Sequence, residues 1–245
     1  MLYIGIDDTD NLETRGTGFR ARELIGKLQE QDLVEGLAVT RHQLLLDPRV
    51  PYTSHNSSAC LVVQQKQKVT DDQIMDYCRD YLLEHAAEGS DAGLCLANAQ
   101  QARAVIDFGL RAKVDLLEMQ DAIDTAGKQE IKLEGLTGTR QGIIGALSAV
   151  GLHIHGNDGR YLWPRDIREH TGQTTSLQVL KLKKGIEKIA FIDGRELNDD
   201  QAKISLGEWP RMVRIDNQAV LLVEHDDAQH KYKVLEKDII KSVRP

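Results

Sequence analysis

The sequence is short of cysteine, of positive charge and of long apolar stretches, and each shortage narrows what the chain can be. Its 245 residues include three cysteines, Cys60, Cys78 and Cys95. They are odd in number, widely spaced and without a Cys-x-x-Cys pair, so neither a disulfide framework nor a zinc site is indicated. They read as small buried thiols in a reducing compartment. Lysine and arginine are outnumbered by acids, which gives a net charge of −7 and a pI of 5.6. A broad basic face of the kind that grips nucleic acid is therefore not expected, although a local basic groove fits the same totals. No signal peptide and no long apolar span occurs, from which a soluble, cytoplasmic protein without membrane contact is expected. What remains is an ordinary globular composition, 41% hydrophobic and 28% charged, long enough for one large or two small domains.

The richest stretch comes first. Leu2-Tyr3-Ile4-Gly5-Ile6 reads as a buried strand that delivers Asp7, Asp8 and Asp10 into a turn with Thr9, Asn11, Glu13 and Thr14. Carboxylates this close repel one another and persist in open water or around a cation. Mg²⁺ held by one or two carboxylates and phosphate oxygens is a common use. Arg15, Gly16, Thr17 and Gly18 then lead into a helix whose backbone N–H groups can meet an anion. The competing reading is a solvated acidic turn after an edge strand.

Further along, Ala21, Leu24, Ile25 and Leu28 fall on one helical face, and residues 36–41 form a second strand. His42 at its end reads as a hydrogen-bonded structural residue, with a ligand or base as the alternative. Pro48 and Pro51 break residues 46–59 into a long polar loop containing Tyr52, Thr53, Ser54, His55 and Asn56. A strand follows over residues 58–63. Thr70 and Gln73 make a capping box that opens a helix with an Ile74, Tyr77, Cys78, Tyr81, Leu82 face. After a glycine-flanked turn at 88–93 comes a strand at 94–96, completing a strand–helix–strand–strand–helix run with the acids at a strand's carboxyl end. Residues 101–109 and 115–126 read as helices, and 130–134 alternates as a half-exposed strand. In the glycine-rich segment 135–151, Gly138, Thr139, Arg140 and Gly142 open a helix. They supply N–H groups, a hydroxyl and a guanidinium suited to phosphate. This is not a Walker A motif, since no Gly-Lys-Ser/Thr ends it. Tight helix–sheet packing explains the same glycines. Beyond about Leu162 short runs at 176–182, 188–193, 212–215, 219–225 and 231–235 read as strands, with Asp193-Gly194, Asp216-Asn217 and Asp226-Asp227 as turns.

Four of these stretches, in order, resemble the archaeal tRNA-isoleucine 2-agmatinylcytidine synthetase family. They are the Gly-Ile-Asp-Asp-Thr-Asp opening with its Gly-Thr turn, the loop keeping Pro48, Pro51, Tyr52, Thr53, Asn56 and Ala59, the alanine-rich region 99–126, and the glycine-rich segment 142–151. Together they cover roughly the first two thirds of the chain. The loop departs from the family at Ser54 and His55, where basic and glycine residues are usual, and the residues after 162 do not follow the family's OB fold and zinc ribbon. The resemblance implies an α+β protein with a kinase-like α/β domain over 1–97, a ferredoxin-like domain over 98–161 and a β-rich region over 162–245. It further implies an ATP- and Mg²⁺-dependent phosphotransferase or synthetase; the departure from the zinc ribbon and the net charge of −7 set the expectation of an unidentified acceptor other than intact tRNA. Asp7, Asp8 and Asp10 would hold the metal. Gly16, Thr17, Gly18, Asn56, Gly138, Thr139, Arg140 and Gly142 would hold the nucleotide. Asp8, Thr17 and Arg140 would be catalytic, with Thr17 at the family's autophosphorylated threonine. The expected partners are nucleotide and acceptor, with weak or no nucleic-acid binding, and a homo-oligomer is compatible with the sequence. Two other classes stay open: a non-catalytic nucleotide-binding or regulatory module, and a haloacid-dehalogenase-like phosphatase built on Asp8-Thr9-Asp10.

Overall fold

The computed structural model describes residues 1–50, 56–164, 166–183, 185–226 and 231–243. Pro51, Tyr52, Thr53, Ser54 and His55 of the polar loop lie outside the described residues, as does Asp227. Contacts divide the chain into two units, Met1–His155 and Gly156–Pro245, a different partition from 1–97, 98–161 and 162–245.

The first unit begins β1 (Leu2–Asp7), α1 (Thr17–Glu30), β2 (Val34–Gln43), β3 (Ser57–Gln65), α2 (Asp71–His85) and β4 (Gly93–Asn98). This βαββαβ order is the ferredoxin-like pattern, so that pattern falls at Leu2–Asn98, ahead of the 98–161 stretch where it was expected. Next come α3 (Ala99–Ala104), α4 (Ile106–Arg111), α5 (Met119–Lys128), β5 (Lys132–Gly135) and α6 (Gly142–His155). The strands line up as β5-β4-β1-β3-β2, antiparallel throughout. β5 thus extends the same sheet, and residues after 98 share one unit with those before. The capping box at Thr70 and Gln73 is formed. α1 buries Ala21, Leu24, Ile25 and Leu28, as its spacing predicts.

Strand alternation sends Tyr3, Gly5 and Asp7 to one face of the sheet and Leu2, Ile4 and Ile6 to the other. On the first face Tyr3, Cys60, Val62, Cys95 and Ala97 form a core with Ile143, Ala146, Leu147 and Val150 of α6. The helix lies backbone-close to the sheet. A Cβ on Gly5 would fall 1.9 Å from the Ala146 carbonyl oxygen, and one on Gly93 would fall 2.1 Å from the Gly142 carbonyl carbon. The glycines of both partners therefore set the spacing. His42 is fully buried, and Thr40 Oγ1 bonds both His42 Nε2 at 2.8 Å and His153 Nδ1 at 2.9 Å. This is the structural role read for His42. All three cysteines are buried free thiols.

The second unit contains β6 (Arg160–Trp163), β7 (Thr174–Ser176), α7 (Leu177–Lys181), β8 (Lys188–Ala190), β9 (Lys203–Ser205), β10 (Met212–Ile215), β11 (Gln218–Asp226), β12 (Lys231–Val234) and α8 (Lys237–Val243). β10 and β11 form a hairpin whose turn, Asp216-Asn217, has left-handed φ values of 49° and 64°, as a tight hairpin demands. Val213, Val220, Leu222, Leu235 and Ile240 share a core. The run 176–182 is not a strand: Ser176 caps α7 by accepting from the Val179 amide, and Leu177 and Leu180 bury one helical face. Among the described residues no helix is long and apolar enough to cross a membrane.

Candidate functional site

A cavity of about 400 Å³ in the first unit opens where β1 ends. Asp7, Asp8, Asp10, Asn11 and Thr17 form one side, and Leu44, Leu45, Arg49, Val50, Asn56 and Ser57 from the β2–β3 connection form another. Asp91 lies between β1 and α6, whose Gly142, Ile144 and Gly145 complete the wall with Gln141. Ala112, Leu116 and Leu117 give the cavity an apolar end, with Asp115 beside them.

Each acid is held differently. Asp7 ends β1 on the α6 face, and Gly145 leaves the room for it: a Cβ there would lie 1.7 Å from Asp7 Oδ2. Burial, and then the Asp8 carboxylate, push the Asp7 carboxyl up to about 8. Asp8 sits at a left-handed φ of 47°. Burial, followed by the charges of Asp91 and Asp10, raises it to about 6. Asp10 Oδ1 accepts from the Thr17 amide at 2.9 Å and from Thr17 Oγ1 at 2.8 Å. Gly16 has no side chain to cap α1, so Asp10 caps it from outside the helix. Thr17 Oγ1 also accepts from Thr9 Oγ1 at 3.2 Å, which leaves Thr17 5% exposed at the cavity edge. Among the described residues no group of three or more His, Cys, Asp or Glu side chains is arranged to hold a metal ion by itself.

Of the residues singled out in the sequence, Asp7, Asp8, Asp10, Thr17, Asn56 and Gly142 meet at this cavity. Asn56 also ties the β2–β3 connection, donating from Nδ2 to the Leu45 carbonyl at 2.8 Å. Gly16 and Gly18 lie beside the cavity at the start of α1; the Gly18 carbonyl accepts from Arg22. Gly138 and Thr139 stand behind Asp91, and Thr139 Oγ1 donates to Asp91 Oδ2 at 2.6 Å. Arg140 lines a second cavity of about 350 Å³ with Met119, Ile123, Leu133 and Ile143. The turn expected to cradle phosphate thus contributes Gln141 and Gly142 to the acidic cavity, and Arg140 to the other one. Four residues of the site escaped the sequence reading. Asp91 and Gln141 line the cavity, as does Arg49, paired to Asp47 at 2.8 Å. Arg41 donates to Ser57 Oγ at 2.9 Å and stands within electrostatic reach of Asp7 and Asp10. Only Arg41's place at the end of the strand predicted over residues 36–41 could have marked it.

With a ferredoxin-like sheet, a glycine-rich helix laid on it and an acidic cluster at the end of its first strand, the chain is similar over 61% of its length to solved structures of TiaS and of a tRNA labeling enzyme. Solved structures similar to the chain include a tRNA fluorescent labeling enzyme at 26% identity and a TM-score of 0.54, the apo form of TiaS, an agmatidine synthetase for an isoleucine tRNA, at 25% and 0.53, and TiaS bound to that tRNA and ATP at 25% and 0.54. Each match covers 61% of this chain and 35%, 35% and 36% of the other, so the chain spans about a third of the length of these proteins. No family model and no curated protein matches the chain.

Proposed function

We propose that the first unit binds Mg²⁺–ATP in the acidic cavity and serves an ATP-dependent synthetase or phosphotransferase whose acceptor is open. The observation that carries the reading is the convergence of Asp7, Asp8, Asp10, Thr17 and Asn56 on one cavity beside a glycine-lined helix. The likeness to TiaS, solved with its isoleucine tRNA and ATP, supports it.

The donor set fits magnesium. Asp7 and Asp8 hold their protons against the usual carboxylate range because burial and neighbouring acids leave negative charge uncompensated, and a hard divalent cation relieves that. Fewer than three protein ligands are enough, since Mg²⁺ keeps waters and shares phosphate oxygens. When bound, it supplies charge neutralisation at the phosphates. The protein's own groups do the rest. Gly142 and Gly145 let the α6 backbone come up to the end of β1, where the phosphates would lie. The apolar end at Leu116 and Leu117 suits a base. Asp10, which accepts from Thr17 Oγ1, is placed to take that hydroxyl's proton should Thr17 receive a phosphoryl group. Arg140 is not needed, because its side chain lines the other cavity.

A thermal-shift titration tests this. Mg²⁺–ATP should raise the melting temperature, since a ligand of the folded state stabilises it, and Asp8→Asn should abolish the rise while keeping the fold. A rise that survives in Asp8→Asn removes the acidic turn from the site. Binding without turnover in the presence of acceptors would leave a nucleotide-binding module.

A further inference from the structure

We propose that the free edge of β5 and the cavity beside it form a docking groove for a peptide that ends in an apolar residue, its C-terminal carboxylate taken by Arg140. β5 is the outermost strand of its sheet: β4 pairs with one side, and among the described residues nothing pairs with the other. The Leu136 amide donates to the Ala92 carbonyl at 2.8 Å, and Glu134 stands opposite Leu94 in the same ladder. Antiparallel alternation therefore turns the N–H and C=O groups of Leu133 and Gly135 away from β4, toward the open side. An extended peptide can bond to such a row as one more strand.

The second cavity lies against that edge. Its roughly 350 Å³ are lined by Leu133 and Gly135 of β5, Met119 and Ile123 of α5, Ile143 of α6, and Arg140. Apart from Arg140, every residue lining it is apolar or glycine. Ile123 is 47% exposed at its lip. Among the described residues the Arg140 guanidinium has neither a hydrogen bond nor an ion pair. Gly135 is what lets Arg140 come so near the strand, since a Cβ there would fall 2.3 Å from Arg140 Cβ. A single cation in an apolar cleft suits one anion on an apolar body. The strand edge selects which body: an extended backbone that sends every second side chain to one face. A chain terminus carries the apolar side chain and the carboxylate on one residue, and a guanidinium takes a carboxylate through two parallel bonds. The volume, near the lower end for ligand pockets, suits a few side chains and not a folded partner. None of these residues lines the acidic cavity, so the groove stands or falls apart from the nucleotide reading.

The test uses the full chain and fluorescent pentapeptides Thr-Val-Thr-Val-X, read by anisotropy, with X as Leu, Ile, Val or Phe. At least one should bind, and its C-terminal amide should bind about tenfold more weakly, the loss of one charge-assisted contact. Arg140→Gln should weaken the free acid about tenfold and leave the amide unchanged, because the cation and the carboxylate act as one pair. Ile123→Asp, at an exposed position, should weaken both. Bound peptide should slow amide exchange at Leu133 and Gly135 and leave Glu134, already bonded to β4, as it was. Octanoate, a carboxylate on an apolar chain without peptide bonds, should compete about a hundredfold less well, lacking the strand bonds. Octanoate that competes as well as the peptide, or unslowed exchange at Leu133 and Gly135, overturns the strand reading. An amide that binds like the acid removes Arg140 from the groove. Failure of all four peptides overturns the proposal outright, as does a dimer in sedimentation whose β5 edge amides are protected without peptide.

Discussion

Alanine at position 5 probes how the sheet and α6 meet. Gly5 pairs with Cys60 on one side and Cys95 on the other, so β1 has no freedom to bulge away. The new Cβ would lie 1.9 Å from the Ala146 carbonyl oxygen, 2.8 Å from its carbon and 3.1 Å from Val150 Cγ2. Carbon–oxygen contacts settle near about 3.3 Å, so α6 must back off by roughly 1.4 Å along most of its length. Overpacking costs about 1–3 kcal/mol and sometimes more. With backbone as the obstacle we expect the upper end, about 3 kcal/mol, or a melting point lower by roughly 6–12 °C for a chain of this size. Urea unfolding of Gly5→Ala, compared at constant slope, measures it. Gly26→Ala is the control. Gly26 lies within α1, and a Cβ added there would meet nothing within 4 Å, so alanine should stabilise by about 0.5–1 kcal/mol through helix propensity. Because α6 also walls the cavity, Gly5→Ala should lose Mg²⁺–ATP affinity as well. A Gly5→Ala midpoint within error of the parent would refute a backbone-set contact.

Asp7→Asn should stabilise the chelator-treated protein at pH 8 and leave it near the parent at pH 4. The raised Asp7 carboxyl, about 8 against 3.8 in an ordinary carboxylate, means its favourable contribution is whole below pH 4 and is lost as pH climbs toward 8; after discounting for its partial exposure the gain is about 2 kcal/mol. Urea midpoints at the two pH values decide it, and equal midpoints at pH 8 contradict it. Thr70→Ala should cost about 1 kcal/mol by removing the cap that accepts the Gln73 amide, with no effect on nucleotide binding; a binding loss would tie α2's start to the cavity. With a net charge of −7, the chain should retain free tRNA weakly and with a shallow salt slope, and tight retention in a filter assay at physiological salt would point to a concentrated basic groove.

Local chemistry was legible in the sequence, and long-range pairing was not. The strand ending in Asp7, the Thr70 capping box, the α1 face at Ala21, Leu24, Ile25 and Leu28, and the Asp216-Asn217 turn each follow from residues a few positions apart, where periodicity and turn chemistry act. The closeness of the acidic cluster to Thr17 was legible for the same reason, since Asp10 meets Thr17 seven residues on. Thr139 and Asp91 are 48 residues apart, and nothing in either neighbourhood announces the other. Arg140, at a left-handed φ of 68°, lines a second cavity, a placement that spacing alone did not announce. At 176–182 alternation suggested a strand, but a serine cap and two leucines three apart, each fully buried, won for a helix.

The glycine contacts between sheet and helix also fix a register. Gly142 and Gly145 sit three apart, one over Gly93 and the other over Asp7. Sliding α6 by one turn toward its start would present Ala146 and Ala149 to those places, with methyl groups where no atom fits. One docked position survives, and the helix either takes it or stays off the sheet. Its partners in β1 lie more than a hundred residues upstream, so this docking closes a long loop and comes late, as non-local contacts do. The cavity has no back wall until then. A chain stopped before Gly142 could complete every strand and both helices of the βαββαβ sheet and still display its three aspartates on an open surface.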